Sequence, residues 1–187
     1  MTLATHIVTG AAVAKIFTAN PVQAFLVGCL SHYVLDSIIH WDYKLRAFSS
    51  ESNSYSMDDS SSIDDSFSME KKVRFNKFLL GDIAKVLFDA FLGFLIVFLI
   101  VSLATDRLAN GDMFIMLFGA VGGVIPDFLQ FLYGIRKNQF LRGLQKFHHF
   151  MHAKRKLNDR PVLGISLQIF IIVAVGLFLS GSFLWAQ

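Results

Sequence analysis

The stretch from Val162 to Ala186 constrains this chain most. It contains no charged residue and is apolar over most of its length. A helix of about 20 apolar residues matches the hydrocarbon core of a bilayer. In lipid every backbone donor and acceptor must be satisfied within the segment, so such a run is restricted to a spanning helix. Two further stretches have the same character. Phe78 to Ala104 is interrupted by Asp82, Lys85 and Asp89, and Met113 to Tyr133 by Asp127 alone. Thr5 to Trp41 is also apolar, but Asn20-Pro21 breaks it. Proline lacks a donor and starts helices well, so the break predicts two helices, about 5–18 and 21–41. The first is short for a span.

Composition agrees. The chain has 187 residues, 54% hydrophobic and 17% charged, where a soluble domain carries about 25% charged residues. A soluble globular fold is excluded on this balance, and disorder on hydrophobicity. Cys29 is the single cysteine, which excludes a disulfide-stapled secreted fold. The expectation is an all-α polytopic membrane bundle of about five helices, with 1–187 as one domain. No internal repeat and no cleavable signal peptide is evident.

Residues 49–70 depart from this pattern. Ten of the 22 are Ser, six are Asp or Glu, and none is Lys or Arg. Such a tract cannot bury a core and predicts a flexible loop. Residues 134–160 carry eight Lys or Arg against one acid, Asp159. Over 138–156, Phe140, Leu144, Phe147 and Met151 share one helical face with basic residues around the rest, the pattern of an amphipathic helix at the membrane surface. The connections 41–77 and 134–160 hold 14 of the 17 Lys and Arg. The positive-inside rule makes both cytoplasmic. With five spans the N-terminus is then cytoplasmic and the C-terminus outside.

The polar residues embedded in apolar sequence point to chemistry. All six histidines fall in two places: His6, His32 and His40 near the N-terminus, and His148, His149 and His152 in the basic amphipathic segment. Asp36, Asp82, Asp89 and Asp127 interrupt apolar runs, and an intramembrane carboxylate needs a partner or a function. His32, Asp36 and His40 recur every fourth residue and share one helix face. On a straight helix the outer two lie about 12 Å apart along the axis, so one ion cannot take both, whereas two ions could if Asp36 bridges them. His148 and His152 repeat the i, i+4 pair used by zinc sites; His149 is rotated away. The predicted topology brings His6, His32, Asp36, His40, Asp82, Asp127, His148 and His152 to one membrane face, so these are the candidate metal ligands.

Plainer roles compete for some of them. Lys85 could pair with Asp82 or Asp89. His6 and His149 could be ordinary interfacial polar residues, and His40-Trp41-Asp42-Tyr43 an interfacial anchor. For the His32–Asp36 and His148–His152 pairs together, a metal site is the stronger reading. Imidazole and carboxylate without thiolate suit Zn first, with Mn or Fe as alternatives, and two or three ions could be held. Cys29 fits packing.

These segments resemble motifs of a known family. Thr5-His6 with Gly10, Gly28-Cys-Leu-Ser-His-Tyr-Val-Leu-Asp36, Ile125-Pro-Asp127 and His148-His-Phe-Met-His152 look like those of the bacterial membrane-bound predicted metal-dependent hydrolases. They are also similar to motifs of the all-helical zinc-dependent phospholipases C. The likeness is that of a divergent relative, confined to scattered motifs. Ile125-Pro-Asp-Phe-Leu-Gln lacks the family's second Asp and follows the Ser-His motif instead of preceding it. The resemblance implies that Asp36 bridges ions held by His32 and His40, and that the membrane is the bacterial inner membrane.

The expected function is metal-dependent hydrolysis of a phosphoester, a phospholipid or isoprenoid phosphate, by metal-activated water at the cytoplasmic face. Asp36 or Asp127 would orient the nucleophile. Lys146, Lys154, Arg155 and Lys156 would draw anionic lipid to the site. Membrane lipids are the expected partners, and nucleic acid is not. Two alternatives stand beside it. One is a di-iron lipid hydroxylase or desaturase, which six histidines count against. The other is a metal transporter or sensor using Asp82 and Asp89 as a pathway.

Overall fold

The computed structural model describes residues 1–42, 45, 79–103, 111–153 and 157–184. The predicted loop 49–70 and the basic run Lys154–Lys156 lie outside them. Among the described residues the elements are all helices: α1 (Leu3–Phe17), α2 (Pro21–Ser37), α3 (Leu79–Leu103), α4 (Asp112–Ile135), α5 (Gln139–Met151) and α6 (Pro161–Leu184). This is the expected helical bundle with one additional amphipathic helix. The break before α2 is built as its sequence suggests. Pro21 occupies the first turn, and the Asn20 side chain accepts the Val22 and Gln23 amides, capping two otherwise orphaned donors.

Three helices, α3, α4 and α6, are long and apolar enough to cross a membrane. Their outward faces carry exposed apolar side chains, including Phe88, Phe91 and Phe98 on α3 and Phe170, Leu177 and Phe178 on α6. α1 is different. With 15 residues it falls short of a full span, and nearly every residue from Leu3 to Ala14 is buried. It is the central helix of the bundle, surrounded by α2, α3, α4 and α6. Ile7, Val8 and Ala11 form the core there with Met116, Ala120, Val97 and Leu179.

Small residues set the register. Ala14 and Ala24 cluster with Ile115. A β-carbon on Gly28 would stand 2.2 Å from the Gly119 carbonyl oxygen, and one on Gly123 would stand 2.4 Å from that of His6. α2 therefore runs parallel to α4, with Ala24 beside Ile115 and Gly28 beside Gly119, while α1 runs antiparallel between Gly123 and Gly119. Backbones approach this closely only where side chains are missing, as in small-xxx-small helix pairs of membrane proteins. An ion pair of Lys15 with Asp112, at 2.7 Å, pins the far end of α1 to the start of α4.

One boundary differs from expectation. α2 stops at Ser37 rather than near Trp41. Ile38 is extended, its amide bonds to Leu35 O, and the Ser37 hydroxyl donates to Val34 O at 2.6 Å. The β-branched pair Ile38–Ile39 suits extended backbone. His40 is thus not on the helix face of His32 and Asp36 but on an extended strap after it. α5 is also shorter than the predicted 138–156, giving way at His152 to an extended residue.

Candidate metal centre

The small-residue stripe on α2 continues into the site. Ala24, Gly28, His32 and Asp36 are spaced every fourth residue, so the face packed on α4 at Gly28 turns His32 and Asp36 toward Gly123 and Asp127. His32 Nδ1 lies 2.8 Å from the Gly123 carbonyl oxygen, and His40 Nδ1 lies 2.7 Å from that of Ile38. A carbonyl can only accept, so both Nδ1 atoms carry the proton. In the neutral rings Nε2 then holds the lone pair, the form that binds metals.

Five imidazoles aim Nε2 at one carboxylate. Asp36 Oδ2 lies 3.2 Å from His32, 3.2 Å from His148 and 3.8 Å from His152. Its Oδ1 lies 3.2 Å from His6 and 4.0 Å from His40. His6, His32, Asp36 and His40 are almost completely buried. Yet Nε2 of His6, His32 and His40 and Oδ1 of Asp36 make no hydrogen bond. Buried polar atoms without partners are rare in folded proteins, and lone pairs facing a carboxylate repel unless a cation lies between them. The Met1 amino group contacts Asp42 and lies 3.7 Å from Asp36 Oδ1.

Two groups of ligand atoms stand within reach of a shared ion. The first is His32, Asp36, Asp127 and His148; the second is Asp36, His40 and His152. Ligand atoms about 2.0–2.1 Å from a tetrahedral ion lie roughly 3.3–3.4 Å from one another. In the first group the separations from His32 and His148 to Asp36 are both 3.2 Å, and to Asp127 they are 3.6 and 3.8 Å. That spread fits a single ion with little adjustment. Asp127 is 30% exposed, so this group has an open side. Asp36 is the residue common to both groups, with Oδ2 toward His32, His148 and His152 and Oδ1 toward His40.

The remaining candidates fall around this core. His6 comes up from α1, its ring stacked on His32 with centroids 3.9 Å apart. Asp82 is buried at the start of α3, belongs to neither ligand group and accepts from Lys85 at 3.1 Å. Asp89 accepts the Leu3 amide at 2.6 Å and the Ala4 amide at 3.3 Å. It caps the N-terminus of α1 from a neighbouring helix, where the helix dipole favours an anion. His149, next to His148 on α5 and rotated about 100° from it, is exposed.

Sequence reasoning missed Asp42. Its Oδ1 lies 3.0 Å from His40 Nε2, next to the second ligand group. The strap that carries it is tied down by Asp42 N bonding to Asn158 Oδ1, Ala153 N to Asp36 O and Leu157 N to His40 O. Gln168 on α6 donates to Trp41 O and accepts from Thr2 N. A His-x-Asp spacing is legible at 40–42, but it gains meaning only once the helix is known to end before it. No protein-family model, no curated protein and no solved structure matches the chain.

Proposed function

We propose that this chain is a membrane-embedded, metal-dependent hydrolase of a lipid phosphoester. The substrate would be a phospholipid or isoprenoid phosphate, cleaved at the cytoplasmic face of a bacterial inner membrane. The supporting observation is the convergence of five imidazole Nε2 atoms on the buried Asp36 carboxylate, with Asp127 on the open side. Zinc is the ion proposed, because the donors are nitrogen and oxygen and the spacing suits a tetrahedron. The motif resemblance to membrane-bound metal-dependent hydrolases points the same way.

Divalent cations, when bound, supply the charge that activates water and neutralises a phosphoryl group. The chain's own part is to hold and orient. Asp36 holds the two ligand groups together, and the backbone bonds to His32 and His40 keep each Nε2 free for coordination. Asp127, on the exposed side, is placed to accept a proton from an incoming water. Arg142 and Lys146 on α5 attract anionic head groups. A transport pathway is less well supported, because Asp89 is occupied as the cap of α1.

Elemental analysis of purified protein tests the premise, and phosphate release from lipid phosphates in Zn or Mn tests the reaction. Stoichiometric metal, lost in His32→Ala, and release that depends on Asp36 are expected. Absence of metal, or release unchanged in Asp36→Ala, would end this reading.

A further inference from the structure

α6 contributes no residue to either ligand group, yet it grips the segment that carries part of the second. From Pro161 to Leu184 it has no charged residue and a single carboxamide, Gln168. Its sequence neighbours Ile169 and Phe170 are exposed, whereas Gln168 is 3% exposed. A carboxamide in an apolar setting is costly unless paired, and polar side chains in membrane helices serve to bond across to a neighbour. Gln168 is paired twice. Its Nε2 donates to Trp41 O at 2.8 Å, and its Oε1 accepts the Thr2 amide at 2.9 Å.

Gly164 lies one turn earlier on the same face. A β-carbon there would stand 2.3 Å from Trp41 Cβ and 3.3 Å from Trp41 Cα. The strap after α2 therefore rests directly on the α6 backbone, with Trp41 fitted over Gly164 and its carbonyl held by Gln168. Trp41 separates His40 from Asp42 in the sequence. His40 belongs to the second ligand group, and Asp42 Oδ1 lies 3.0 Å from its Nε2. The segment leading into α6 completes the grip, since Leu157 N donates to His40 O at 2.9 Å and Asp42 N to Asn158 Oδ1 at 3.1 Å. The first ligand group is built differently. His32, Asp36, Asp127 and His148 ride on α2, α4 and α5, which pack on one another. An extended strap has no helical hydrogen bonds to hold its course, so its place is set by what it is docked against.

We propose that Gly164 and Gln168 are positioning residues for the second ligand group, so that its ion is held only while the strap is seated on α6. The ion rests on the metal-centre reading above; the seat on α6 does not.

The test measures metal content and amide hydrogen exchange on the same samples of full-length protein in detergent. Gln168→Leu removes both hydrogen bonds, and Gly164→Ala drives a β-carbon into Trp41. Both variants are expected to keep the ion of the first group and lose that of the second. Exchange across the strap should become roughly tenfold faster, the effect of losing a buried hydrogen bond, while α4 keeps its protection. Gly176→Ala, further along α6, meets its nearest atom at 3.9 Å and should retain both ions. Strap exchange unchanged in Gln168→Leu would overturn the seat, whatever becomes of Gly164→Ala. A loosened strap with the metal content unchanged would overturn the positioning role. Loss of all metal with α4 still protected would make α6 a support of the whole centre and overturn its selective role. Wild-type protein free of metal, with a strap that loosens in Gln168→Leu, would refute the metal reading and uphold the seat.

Discussion

Asp36 is the residue on which the site turns. It is a single buried carboxylate ringed by His6, His32, His40, His148 and His152, and truncating one partner of a buried charged network costs about 3–5 kcal/mol. Asp36→Asn is expected to lose that order of stability together with its metal, read by thermal unfolding in detergent beside elemental analysis. Asp42→Asn should act more narrowly. It borders only the second ligand group, so the protein should keep the ion of the first group and lose the other. Loss of both ions, or of neither, would show that Asp42 does not ligate as its distance to His40 suggests. Acid should mimic ligand removal, because imidazole binds metal only when neutral. Lowering the pH protonates the rings, releases the ions and removes their contribution to stability, so the melting temperature should fall on acidification and recover on neutralisation with added zinc.

The helices place these residues through small side chains. Gly28 and Gly119 meet backbone to backbone, and a β-carbon on Gly28 would stand 2.2 Å from a carbonyl oxygen. Gly28→Val therefore has to push α2 off α4. It should cost about 1–3 kcal/mol at least, by the measure of overpacked cores, and should also reduce metal binding because His32 and Asp36 ride on the same face. Gly143 on α5 has open space around its Cβ position. Gly143→Ala should stabilise the helix by about 0.5–1 kcal/mol, leaving metal content unchanged. If both substitutions shift the melting temperature alike, close packing of α2 on α4 is not what positions the site. The Gly119-x-x-x-Gly123 spacing is visible in the sequence, but its partner helix is not. Likewise the end of α2 could not be read from hydrophobicity, since Ile38 and Ile39 are as apolar as the helix before them.

Across the whole molecule the ligands collect at one end of the bundle and the Lys15–Asp112 pair lies at the other. α1 and α2 form a hairpin, and both of its ends lie at the metal end. The proposed sidedness therefore does not depend on α1 crossing the full bilayer; it depends on α3, α4 and α6. A Cys29→Ser background tests it. Ala19→Cys should react with an impermeant maleimide from outside the cell, and Asn158→Cys only after permeabilisation. The reverse pattern would invert the assignment and put the metal centre on the outer face. Chelation should lower the melting temperature of the intact protein, since ions that bind only the folded state stabilise it by mass action.

Hydrophobic periodicity and length were enough to specify helices that fit a membrane, because a bilayer leaves the backbone few other ways to satisfy its hydrogen bonds. The repeat of His32, Asp36 and His40, and of His148 and His152, was enough to nominate a metal site, because side chains four apart share a helix face. Contacts between distant segments were another matter. Which Asp gathers the imidazoles and which caps α1 depends on how α1, α2, α3 and α4 pack, and the carboxylates look alike within their apolar runs. His40 approaches Asp36 through an extended turn and not a helical one, and Asp42 comes with it. Both follow from an extended strap fixed by hydrogen bonds to Ala153, Leu157 and Asn158, more than a hundred residues away.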